Sequence, residues 1–77
     1  MCLAIPGKII KINESLNAFD KTAKVDFSGT EKDIGLLMVP EAVVGEYVLV
    51  HAGQAIQIID EKDAKEIWQY LKETSAE

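Results

Sequence analysis

Two side chains in this chain combine the chemistry of a soft metal ligand and a nucleophilic pair, Cys2 and His51, and each is the only residue of its type. Cys2 stands directly behind Met1 in Met1-Cys2-Leu3-Ala4-Ile5-Pro6-Gly7-Lys8-Ile9. A terminus is the least constrained part of a small domain. A cysteine kept for packing belongs inside a strand or helix, because an unpaired thiol behaves as a small buried hydrophobe. Cysteine at position two is also small enough to permit removal of the initiator methionine. The α-amino group would then lie beside the thiol, and a neighbouring ammonium favours the thiolate, the form that attacks electrophiles and binds metals. The bland alternative is a terminal cysteine tucked under the first strand.

Donor arithmetic narrows the chemistry. A closed structural zinc site takes four cysteine or histidine ligands, and this chain has two such residues in total. A metal held by Cys2 and His51 therefore needs ligands from elsewhere, which favours a shared or transient site. A cysteine–histidine pair also serves as nucleophile and base, but no motif marks the third orienting group or the oxyanion donor. His51 ends a strand beside the Ala52-Gly53 turn, on one face with Tyr47 and Leu49, where rigid scaffolds often carry functional groups. Its plain alternative is an exposed histidine bonded to a nearby carbonyl. Among the carboxylates Asp26 and Asp33, both in strands, are the only two that stand out, and both read as a solvated strand face. Lys62, Lys65 and Lys72 among Glu61, Glu66 and Glu73 read as an ordinary charged helix face.

Composition excludes several classes. The 77 residues are 48% hydrophobic, enough to fold, and one cysteine cannot form an intramolecular disulfide. No charged leader precedes a long apolar run and no apolar stretch would span a bilayer, so a reducing cytoplasm is expected, without membrane association. The net charge is −5, and all eight basic residues are lysine. Nucleic-acid binders need a basic stripe and usually arginine forks, so nucleic acid is not an expected partner. No glycine run cradles a phosphate.

The elements that must position these residues are short. Pro6-Gly7 is a pair that favours a turn and breaks regular structure, Gly7 to Ile12 reads as a strand, and 13–17 as a polar turn. Thr22 to Phe27 alternates as a half-buried strand, Ser28-Gly29 is a hairpin turn, and Thr30 to Leu36 is a weaker strand interrupted by Gly35. Leu37 to Glu41 is an irregular apolar connection. Gly45-Glu46 turns into the strand Tyr47 to His51, and Ala52-Gly53-Gln54 turns into Ala55 to Ile59. Asp60 then caps a helix whose apolar stripe is Ala64, Ile67, Trp68 and Leu71. The expected fold is a mainly β single domain over 1–77: a five-stranded barrel of the oligonucleotide-binding type over about 3–59, with a C-terminal helix over about 61–73. The helix should cover one opening or face, each of Ile67, Trp68 and Leu71 contributing roughly 1.5–3 kcal/mol by burial.

Three segments together resemble the HypC/HupF-type chaperones of nickel–iron hydrogenase maturation, a family that includes HybG-type members. They are the Met1 to Lys8 start, Val25-Asp26-Phe27-Ser28-Gly29, and Gly45 to Gly53 continuing through Ala55-Ile56 into the acidic start of the helix. The likeness runs over nearly the whole chain in the right order. It implies a small barrel protein with a C-terminal helix that is not an enzyme. It further implies pairing with a HypD-type iron–sulfur scaffold and then with the hydrogenase large-subunit precursor, to help deliver an iron unit carrying cyanide and carbon monoxide. No cofactor is permanently bound; the iron is transient cargo. The family's essential cysteine matches Cys2, as iron ligand and docking group, and its recurrent histidine matches His51. The partner-binding segment implied is Cys2, Leu3, Ala4, Ile5, Pro6 and Gly7, together with His51.

Departures from the family pattern bear on the partner surface. Lys32 stands where many relatives carry arginine, Gly35 to Pro40 lacks the usual polar residues, and Gln54 replaces an aromatic or aliphatic residue. Two rival functions follow from the residues alone. One is an interaction module docking through the apolar segment Leu36 to Val39, with Cys2 incidental. The other is an enzyme using Cys2 and His51.

Overall fold

The computed structural model describes residues 4–75, in which five strands and a short 3-10 turn (Ala18–Asp20) precede one α-helix. The strands are β1 (Ile5–Asn13), β2 (Thr22–Phe27), β3 (Thr30–Gly35), β4 (Tyr47–His51) and β5 (Gln54–Ile59), and the helix is α1 (Glu61–Ser75). They form a closed barrel in the order β1-β2-β3-β5-β4, the mainly β architecture expected from the sequence. The helix runs two residues past the expected end. The expected barrel start near residue 3 lies outside the described residues.

β1 serves two neighbours. Its first part, Ile5 to Lys8, pairs antiparallel with β4, and the part from Lys8 to Asn13 pairs antiparallel with β2. The register passes from Ile9↔Val25 to Lys11↔Lys24, which leaves Ile10 as a bulged residue. A bulge bends a strand and raises its twist, so one strand can close both sides of a small barrel. Ile56 is the matching extra residue in β5, between Leu49↔Gln57 and Val50↔Ala55. β3 and β5 meet through one parallel pair, Gly35↔Gln54, joined by the Gly35 N–H donating to the Gly53 carbonyl at 3.0 Å.

Both tight hairpins use two residues with positive φ, Ser28 (59°) with Gly29 (109°) and Ala52 (53°) with Gly53 (81°). Two such residues in succession match the twist of antiparallel strands. The Asp26 carboxylate accepts the Gly29 N–H at 2.8 Å and braces the first hairpin. Asp33 faces Lys24 across β2 and β3 at 3.6 Å. Asp33 thus lies on the exposed strand face expected of it, whereas Asp26 is half-buried and bonded to the turn instead of being a fully solvated group.

The interior is filled by Ile9, Ala23, Val25, Ile34, Val48, Val50 and Ala55 from the strands and by Leu36, Val39 and Ala42 from the β3–β4 connection. The segment Leu36 to Val39, treated in one sequence-based alternative as an exposed apolar dock, is therefore split. Leu36 and Val39 are core, whereas Leu37 and Met38 are 48% and 65% exposed. Short turns explain the split, with Val39 N–H donating to Leu36 O and Ala42 N–H to Val39 O. Lys21 holds this connection in place, its ammonium donating to the Pro40 carbonyl at 2.7 Å while its own carbonyl accepts the Leu36 N–H.

Candidate functional site

Of the residues singled out by sequence, Cys2 and Leu3 lie outside the described residues. Ala4 is the first described residue and is half-buried. Ile5 faces Val50 and Pro6 faces Leu49. The chain thus enters the barrel at the end of β4 that carries His51, one residue beyond Val50.

His51 is exposed at the end of β4, while Val48 and Val50 on the opposite face are buried. Tyr47 and Leu49, on the face it shares, are half-buried, as the alternation of a strand requires. Its imidazole has no hydrogen-bond or ion-pair partner among the described residues. The nearby-carbonyl bond that is its plain alternative is not formed among the described residues. Ala52, the next residue, sits in the left-handed region at φ 53°.

Pro6 and Gly7 form no turn. Both are buried within β1, and the geometry accounts for this. In an extended strand the N and O of one residue point to the same side. The Pro6 carbonyl accepts the indole N–H of Trp68 at 2.7 Å, so its ring nitrogen also faces the helix and no ladder bond to β4 is lost. Gly7 is needed for close approach: a Cβ there would collide with the Val25 side chain and stand 2.8 Å and 2.9 Å from two Phe27 ring carbons.

The helix stripe is only partly core. Ala64 is fully buried, but Ile67, Trp68 and Leu71 are half-buried, so the full burial expected for those three is not reached. For Trp68 the reason is a cleft of about 410 Å³ between α1 and the barrel, walled by Trp68, Gly7, Lys8, Tyr47, Asp26 and Lys65. The Lys8 ammonium lies 6.0 Å from the centre of the Tyr47 ring, at the edge of cation–π range. Sequence reasoning missed this cleft and the second role of Trp68. The only local signal was an indole N–H, which in a partly buried position usually finds an acceptor. Leaving the buried Pro6 carbonyl unpaired would cost about 1–3 kcal/mol.

Among the described residues no group of three or more His, Cys, Asp or Glu side chains is placed to hold a metal ion. None of their helices is long and apolar enough to cross a membrane.

Comparison with known proteins adds a family. Residues 1–71 match the sequence profile of the HupF/HypC family. Hydrogenase maturation factor HypC of a Synechocystis species is 47% identical over 66 residues, covering 86% of this chain and 87% of the relative. HypC of Cupriavidus necator is 43% identical over 65 residues, 84% of this chain and 67% of the relative. Hydrogenase maturation factor HybG of Escherichia coli is 31% identical over 77 residues, 95% of this chain and 90% of the relative.

Proposed function

The chain belongs to the HupF/HypC family, and from that premise we propose that it is a nickel–iron hydrogenase maturation chaperone. It engages a HypD-type scaffold and then the hydrogenase large-subunit precursor through the segment from Cys2 to Gly7. The Cys2 thiolate ligates the iron carrying cyanide and carbon monoxide, and His51 assists from the neighbouring strand end. Iron is cargo here, and the protein acts in the cytoplasm as a carrier and not as a catalyst.

The observation that carries the proposal is the family match reaching back to Met1. The position of Ile5 against Val50 supports it, because the stem of the motif and the lone histidine then share one end of β4. The donor chemistry agrees. A thiolate is a soft ligand suited to such an iron centre, and a site with few protein ligands leaves positions open for exchange between proteins.

The test is an anaerobic infrared spectrum of the protein co-purified with its HypD-type partner, for wild type, Cys2→Ala and His51→Ala. Cyanide and carbon monoxide stretches are expected in wild type, lost with Cys2→Ala and shifted or weakened with His51→Ala. If the Cys2→Ala complex forms normally with unchanged bands, Cys2 is neither ligand nor docking group. A docking role for the exposed Leu37 and Met38 side chains would then be the better account.

A further inference from the structure

Trp68 lies in the last third of the chain, yet its indole N–H closes on the carbonyl of Pro6, 62 positions away. This bond lies at the point where β1 is paired with β4 alone, its pairing with β2 having ended at Lys8↔Asp26, although Gly7 still packs on Val25 and Phe27. On the helix side, Trp68 is what fixes the strand here, since Pro6 has no N–H and Gly7 has no side chain. The indole is only half-buried beside the cleft. Its packing area and its N–H are therefore separable contributions.

We propose that Trp68 is a positioning residue: its N–H fixes Pro6 and so sets the direction in which Ile5 and Ala4 leave the barrel towards Cys2. The proposal rests on the reading of Cys2 as the working group. The helix, the strand bearing the motif and the end of β4 bearing His51 then form one mechanical unit. A shift of α1 over its cleft reaches the stem through this hydrogen bond as well as through the packing of α1 on β1.

Trp68→Phe removes the N–H and keeps an aromatic ring. Incorporation of 3-benzothienylalanine at position 68, which keeps the two-ring shape without the N–H, repeats the test if the phenylalanine variant fails to fold. Three readouts are taken on the folded protein. Amide exchange at Ile5 and Gly7 should speed up about tenfold, the loss expected for one hydrogen bond of this kind, while exchange in the β2–β3 hairpin stays unchanged. The rate at which the Cys2 thiol reacts with a small aromatic disulfide should change, although Trp68 lies far from it in sequence. Affinity for the HypD-type partner should fall in the single variant, and Trp68→Phe should add little once Cys2→Ala is present. Unchanged exchange at Ile5 and Gly7, or additive losses of affinity in the double variant, would overturn the proposal. If Cys2→Ala alone leaves affinity intact, the functional reading has failed, and the exchange and thiol rates still decide whether Trp68 positions the stem.

Discussion

Gly7 and Phe27 approach so closely that a methyl group on Gly7 would stand 2.8 Å from a carbon of the Phe27 ring. The contact joins the family's amino-terminal motif to the strand of its second motif. Gly7→Ala is expected to destabilise the fold by roughly 1–3 kcal/mol, the range for overpacking a tight contact. Urea unfolding checks this, with a lower midpoint and an unchanged slope. An unaltered midpoint would mean that β1 moves away from Phe27 without cost.

The hairpin beside His51 stores a different kind of strain. Ala52 has a side chain in a backbone region at φ 53° that glycine and asparagine tolerate far better. Ala52→Asn creates an Asn-Gly pair, the sequence preferred for such a turn. It is expected to raise stability by about 1 kcal/mol, or roughly 4–8 °C in Tm for a domain of this size. Calorimetry reads the change directly, and no gain would show that the strain is relieved elsewhere.

On the helix surface, Lys65 lies 3.0 Å from the Glu61 carboxylate one turn earlier. Hydrogen bonding from Lys65, and then its charge, hold the Glu61 carboxyl below its ordinary value of 4.5. The same partner raises the Lys65 ammonium above 10.5. The pair therefore favours folding above pH 4.5 and loses that contribution as pH falls through the lowered Glu61 value. At the alkaline end the contribution is lost as pH rises through the raised Lys65 value. Lys65→Met should bring the Glu61 titration, followed by carbon NMR, back up towards 4.5. Its stability deficit should vanish in acid and shrink in high salt, since both groups are exposed.

Local patterns carried most of the fold into the sequence. Ala23, Val25 and Phe27 alternate with polar residues, Ser28-Gly29 has the turn chemistry, and Ala64, Ile67, Trp68 and Leu71 keep helical spacing, so the hairpin and α1 were legible. Pro6-Gly7 was misread because a missing N–H signals a break only when that N–H would have faced a neighbouring strand. Its direction is fixed by β4 and Trp68, both remote in sequence. The same holds for the cleft, whose walls come from β1, β2, β4 and α1. Leu36 to Val39 looked uniformly apolar, and only the tight turns after β3 decide which side chains go inward. Of the candidate site, His51 at its strand end was readable from period-two alternation. Its lack of a described partner was not, because that depends on what the fold leaves around it.

The single bridge between Gly35 and Gln54 leaves most of the outer edge of β3 without a strand partner. An unpaired edge invites the strand of another molecule, the first step of aggregation. On β3 that edge runs through Glu31, Lys32 and Asp33, three charged residues in succession and all exposed. Another β3 arriving side by side would have to desolvate six charges, so the edge rejects its own kind. The weak strand character of β3 in the sequence is thus the mark of a guarded border, with charges placed where edge-to-edge pairing would begin.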